Sequence, residues 1–134
     1  MKRLGFTILA AAVLALPLCA QVPTAFRANI PFEFAVDNTT AAPGAYVITY
    51  KDGSPMVQLA GSHVCLAQTS PHSFYKSSQE PKLVFHRYGN QYFLSQIWTT
   101  SESRDFPMSR AERELKKNIA AGGQVQTEFV LAMR

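Results

Sequence analysis

Cysteine is scarce. The chain has two, Cys19 and Cys65, and Cys19 lies inside an N-terminal segment of targeting character. Met1-Lys2-Arg3 is a short positive stretch, and Leu4–Leu18 is an apolar run too short to span a bilayer comfortably. Cys19-Ala20 then places small residues before the polar Gln21. Residues 1–20 read as a secretory signal peptide cut after Ala20. A cut after Ala25 is the alternative, because Leu18, three residues before the first cut, is large. Leu16–Cys19 also approaches a lipoprotein signal, in which Cys19 would carry the lipid. Leu18 directly before the cysteine is the wrong size for it, so lipid anchoring is the lesser alternative. Once residues 1–20 are removed only Cys65 remains, and no intramolecular disulfide can form. An exported domain without staples relies on its core. Cys65 alternates within His63–Ala67 and is expected as a buried small hydrophobe.

Other absences narrow the function. No second long apolar run exists, so the mature chain is expected to have no transmembrane span and to be exported, periplasmic or extracellular. The thirteen basic residues less Lys2 and Arg3 leave eleven against nine acidic, a net charge near +2. That balance argues against a nucleic-acid partner. About 114 residues remain, enough for one domain over 21–134. No Gly-x-Ser-x-Gly elbow occurs. His63, His72 and His86 lack the spacing of a metal site. Glu33 and Asp37 do not make a glycosidase pair. Gly122-Gly123 follows a helical pattern instead of opening one, so it is no phosphate loop. No catalytic residue, metal or cofactor is assigned. His63 and Cys65, two apart on one expected strand, would share a face, which suits packing before thiol–imidazole chemistry.

What is present is a β pattern centred on Pro81–Trp98. Two runs rich in Val, Phe, Tyr, Leu and Ile flank Gly89-Asn90. A Gly-Asn loop suits a primed turn, because glycine takes positive φ without a Cβ clash. That turn predicts a hairpin with Tyr88 opposite Gln91, Arg87 opposite Tyr92, His86 opposite Phe93 and Phe85 opposite Leu94. One face is then Leu83, Phe85, Arg87, Tyr92, Leu94, Gln96 and Trp98. The other is Val84, His86, Tyr88, Phe93, Ser95 and Ile97. Both are largely apolar, so each needs a cover.

Around the hairpin, Gln21–Ala25 reads as a loose arm. Ala28, Ile30, Phe32, Phe34 and Val36 alternate as a strand that Pro31 makes irregular. Asp37–Thr40 and Pro43-Gly44 form a turn region. Strands follow at 45–51, 56–60 and 63–69, punctuated by Asp52-Gly53 and Gly61-Ser62. Residues 70–80 read as an exposed loop with Phe74 and Tyr75 as an anchor. Ser109-Arg110-Ala111-Glu112 is a capping box, in which the glutamate reaches back to the cap. Met108, Ala111, Leu115 and Ile119 form a narrow stripe, with Glu112 and Lys116 on a solvated face. Gly122-Gly123 stops the helix, and Val125–Met133 alternates as a last strand. The expected fold is mainly β: a small antiparallel open barrel or sandwich of about seven strands with one packed C-terminal amphipathic helix.

Leu83–Gly89, Tyr92-Phe93-Leu94 with Trp98, and Ser109–Glu114, together with Ala28–Phe34 and Pro43–Tyr46, resemble a family of small uncharacterised exported proteins known mainly from acidobacterial genomes. The resemblance implies export and a single β-rich domain, and it implies no activity. The residues themselves favour a non-enzymatic exported domain that binds a protein or small-ligand partner in the cell envelope. The rival is a small exported hydrolase or ligand-dependent enzyme using a histidine in a cleft. His86, Arg87, Tyr88 and Tyr92 are the ligand-binding candidates. Arg87 stands out: the register sets it beside Tyr92 as a cation–π pair, free to hold an anionic group.

Overall fold

The computed structural model describes residues 24–73, 80–123 and 125–134. Residues 1–20 with Cys19, expected as a signal peptide, and Phe74–Tyr75, expected as an anchor, lie outside the described residues. Among the described residues eleven strands and one helix follow in order. They are β1 (Thr24–Ile30), β2 (Phe34–Val36), β3 (Thr39–Ala41), β4 (Gly44–Tyr50), β5 (Met56–Ala60) and β6 (Val64–Gln68). Then come β7 (Ser70–Ser73), β8 (Lys82–Tyr88), β9 (Gln91–Trp98), β10 (Glu102–Asp105), α1 (Arg110–Ala121) and β11 (Thr127–Ala132). The architecture is the mainly β one expected, an open barrel or sandwich with a C-terminal helix, but with eleven strands among the described residues where the sequence predicts about seven.

The first sheet has the order β1-β4-β5-β6. The second runs β11-β8-β9-β10-β7, with the β2–β3 hairpin joined to β9 by one parallel pair, Ala35 with Phe93. The sheets meet along two corners. At one, β6 continues through Thr69 into β7, and Thr69 bonds back to Pro55 O through both its N–H (2.7 Å) and its hydroxyl (2.8 Å). At the other, Arg27 of β1 and Arg134, just beyond β11, exchange backbone bonds of 2.7 and 2.9 Å.

The alternating patterns bury one face of each sheet. Ile30, Ile48, Val57 and Leu59 come from the first, and Phe34, Val36, Leu83, Phe85, Leu94 and Ile97 from the second. Each such side chain contributes roughly 1.5–3 kcal/mol on burial. Phe34 meets Tyr46 and Phe85 edge-on at 5.3 and 5.6 Å, a geometry that suits ring quadrupoles. Cys65 is buried in the same core with a free thiol. His63 is exposed in the preceding turn, so it does not share a buried face with Cys65.

Several boundaries differ from expectation for identifiable reasons. Thr24 and Ala25, expected in a loose arm, already pair with Tyr50 and Thr49. Pro31 splits the first strand into β1 and β2, as a residue without an N–H should. Residues 39–41 form a strand because Asp37 takes a φ of 53° and closes a tight hairpin from β2. Ser70–Ser73, expected as loop, is an exposed strand held by β10. β10 lacks an apolar alternation because its inward side chain is an arginine.

Arg104 lies opposite Ile97 and is fully buried. Its Nε donates to Glu102 Oε1 at 2.6 Å, and its terminal nitrogens donate to Ser54 O (2.5 Å) and Lys51 O (3.3 Å). The guanidinium sits 4.1 Å from the Tyr50 ring centroid. One side chain thus ties the second sheet to the β4–β5 loop of the first. Burial satisfied by bonds on this scale is what keeps a buried charge tolerable.

Candidate functional site

The β8–β9 hairpin carries all four sequence-derived candidates. Gly89 takes a φ of 62°, and the pairs Tyr88–Gln91, Arg87–Tyr92, His86–Phe93 and Phe85–Leu94 form as expected. A bulge then intervenes. Val84 pairs with Gln96 and Leu83 with Ile97, which leaves Ser95 as the extra residue. The Ser95 carbonyl accepts from Phe106 N–H at 2.8 Å, which anchors the bulge to the chain after β10. The face assignment beyond Leu94 is therefore corrected. Ile97 enters the core, while Gln96 and Trp98 turn outward with Val84. There Gln96 donates to Asp105 Oδ1 at 2.8 Å and accepts from Trp98 Nε1 at 2.9 Å, with Lys82 over the indole.

The hairpin alternation parts the candidates into two pairs on opposite faces. His86 and Tyr88 face outward beneath α1. Both reach one carboxylate, Glu112: His86 Nδ1 lies 2.8 Å from Oε1, and the Tyr88 hydroxyl donates to the same oxygen at 3.0 Å. The charge of Glu112 predicts a solvated face. Glu112 is instead the one buried residue of the helix. Only half of the capping box forms: Glu112 N–H donates to Ser109 Oγ at 3.2 Å, while the side chain turns to the sheet instead of back to the cap. The exposed i, i+4 pair on the helix is Arg110–Glu114 at 3.1 Å. Val84, Tyr88 and Phe93 are buried on this face, the cover the second apolar face required.

His86, a carboxylate and a hydroxyl within hydrogen-bond reach are the ingredients of acid–base chemistry. Their arrangement is that of a clamp. Tyr88 is nearly inaccessible, and burial, followed by its bond to Glu112 and the charge there, holds its pKa well above the ordinary tyrosine value. A phenol so held keeps its proton. Among the described residues no serine, threonine or cysteine hydrogen-bonds to His86. The three side chains dock the helix on the sheet.

Arg87 and Tyr92 occupy the other face. The Arg87 guanidinium lies 5.5 Å from the Tyr92 centroid, the cation–π pair expected from the register. Arg87 Nε donates to Gly89 O at 2.8 Å, so the turn itself fixes the side chain. Phe32, placed by the break at Pro31, stacks on Tyr92 at 3.8 Å and meets Phe129 edge-on at 5.3 Å. Arg87 is exposed, and its terminal nitrogens make no hydrogen bond among the described residues. A groove of about 220 Å³ lies beside Tyr92, lined also by Glu33, Phe34, Thr40 and Gln91. Phe32 and Glu112 are the site residues that the sequence did not reveal as such. The capping box placed Glu112 at the start of a helix but gave no sign of the face it takes. Among the described residues no three of His, Cys, Asp and Glu gather into a metal site. No described helix is long and apolar enough to cross a membrane.

Comparison with protein-family models, curated proteins and solved structures finds no match. The site therefore stands on its own geometry.

Proposed function

We propose that the protein is a non-enzymatic exported β-domain of the cell envelope whose role is binding, with the Arg87 side of the hairpin as its contact surface. The observation that carries this reading is the state of Arg87. Its guanidinium is aimed by Gly89 O and the Tyr92 ring, and its outer nitrogens make no hydrogen bond among the described residues. A planar fork of this kind pairs bidentately with a carboxylate or phosphate. Holding it in place beforehand lowers the ordering cost of association. Tyr92 and Phe32 add an apolar flank to the anionic contact.

The test is an NMR titration with an aspartyl dipeptide and, separately, inorganic phosphate, on the parent and on Arg87→Leu. Shifts at Arg87, Gly89 and Tyr92 that vanish in a variant with an unchanged melt support the reading. A variant that melts earlier, and binds less only in proportion to its unfolded fraction, assigns Arg87 to the fold. Export belongs to the same proposal. An intact mass that begins at Gln21 without lipid supports it, and a diacylglycerol on Cys19 replaces it with an anchored form.

One observation favours the rival enzyme. A histidine whose Nδ1 is held by a carboxylate is oriented as a general base would be. In that reading His86→Ala abolishes hydrolysis of a model ester while Tyr88→Phe leaves it intact.

A further inference from the structure

The corner where β1 meets the end of β11 carries a second arrangement, remote from the hairpin turn. Arg27 and Arg134 each donate a backbone N–H to the other's carbonyl, at 2.7 and 2.9 Å. That reciprocity defines a hydrogen-bonded antiparallel pair, so the two side chains leave the same face from Cα atoms about 5.5 Å apart. Like charges directly opposite one another destabilise a ladder. Neither guanidinium takes part in a salt bridge among the described residues, and both arginines are exposed. Two forks side by side, neither in a salt bridge among the described residues, suit one anionic group held between them.

The same pair stands over a groove of about 750 Å³. Beyond the arginines its walls are Ala28, Ala45, Tyr46, Val47 and Ala132, and the register sets Asn29 between Ala45 and Ala132. Val47 is the cross-strand neighbour of Arg27 and is 37% exposed. Alanines at 45 and 132 leave a trough that larger side chains would fill. The volume falls within the range of small-molecule sites, roughly 300–1,000 Å³. A site with two cations at one end and an apolar trough beside them matches a ligand with an anionic head and an apolar tail.

We propose that this corner binds a single-chain anionic amphiphile, a fatty carboxylate taken as a monomer. Its head lies between Arg27 and Arg134, and its tail lies along Ala45, Val47 and Ala132. The inference goes beyond the Arg87 surface and does not depend on it.

The experiment titrates the purified protein by calorimetry with dodecanoate below its micelle concentration. Acetate is the head-only probe, dodecyl maltoside below its micelle concentration the tail-only probe, and phosphatidylglycerol vesicles the membrane probe. Saturable one-to-one binding of dodecanoate is expected, with acetate and the maltoside at least about tenfold weaker and a melt that rises with dodecanoate concentration. Arg27→Gln and Arg134→Gln should each weaken dodecanoate about tenfold, and Ala45→Leu should weaken it without changing the response to acetate. The backbone bonds survive these changes. Without ligand and at low salt, Arg27→Gln should melt at or above the parent, because repulsion is relieved. Four results overturn the proposal: undiminished binding in the Arg27→Gln/Arg134→Gln double variant, acetate as tight as dodecanoate, binding to vesicles without binding to the monomer, or an Arg27→Gln melt well below the parent.

Discussion

Replacing Arg104 by methionine removes a buried cation while keeping an unbranched side chain of similar reach. The variant loses the bonds to Glu102, Ser54 O and Lys51 O, and leaves the Glu102 carboxylate buried without its partner. Breaking a buried pair in this one-sided way costs about 3–5 kcal/mol. The contact with the Tyr50 ring, desolvated on both sides, lies within that figure rather than on top of it. A domain of this size is stable by about 5–15 kcal/mol, so the variant should stand near its folding threshold. The second change is the informative one. In Arg104→Met/Glu102→Leu no charge is stranded, and substitution of a whole buried pair by apolar groups is often neutral or stabilising. Equilibrium urea unfolding followed by Trp98 fluorescence measures both. The reasoning requires a midpoint far below the parent for the single variant and substantial recovery in the double. A single variant within about 1 kcal/mol of the parent would show that Arg104 is not what joins the sheets.

Three further outcomes are expected. Gly89→Val should lose about 1–3 kcal/mol by strain alone, since φ is 62° there and no atom crowds an added Cβ; an unchanged melt would misplace the turn. Glu112→Ala should lose about 1–3 kcal/mol by orphaning the Tyr88 hydroxyl, and adding Tyr88→Phe should cost little more, so additive losses in chemical denaturation would refute the clamp. Tyr46, Tyr50 and Tyr88 are all held above the ordinary tyrosine value, chiefly by burial. Their raised values stabilise the fold while the rings are protonated, fully below a pH of about 10, and that stability is lost as pH rises through the folded-state values. Melts across that range should fall, and less steeply in Tyr88→Phe.

The hairpin was legible because its signals were local. Gly89-Asn90 set the turn, and alternation carried the register as far as Phe85–Leu94. The bulge at Ser95 was not legible, since no glycine marks it and its cause is a bond from Phe106, eleven residues on. β10 was hidden for a related reason. Glu102-Ser103-Arg104-Asp105 has no apolar period, and only a tertiary partner makes an inward arginine acceptable. Glu112 misled for the same reason: a charge on a helix reads as solvated until an opposing Tyr88 and His86 are placed. The candidate site was therefore half legible. The register gave the Arg87–Tyr92 pair, whereas the partition of the four residues into a clamp and an open surface needed the helix in position.

Cys65 turns the first sheet into its own reporter. The thiol is buried on β6, the strand at the end of that sheet, and is the sole cysteine among the described residues. A thiol reagent reaches it only when β6 lifts away from β5 or the whole domain opens. The labelling rate, followed as denaturant rises, separates those two events: local peeling hardly responds to denaturant, and global opening responds with the full unfolding slope. Because β6 runs on through Thr69 into β7, peeling should also loosen the hold of β7 on β10. The label would then mark how far a disturbance at one edge spreads into the opposite sheet.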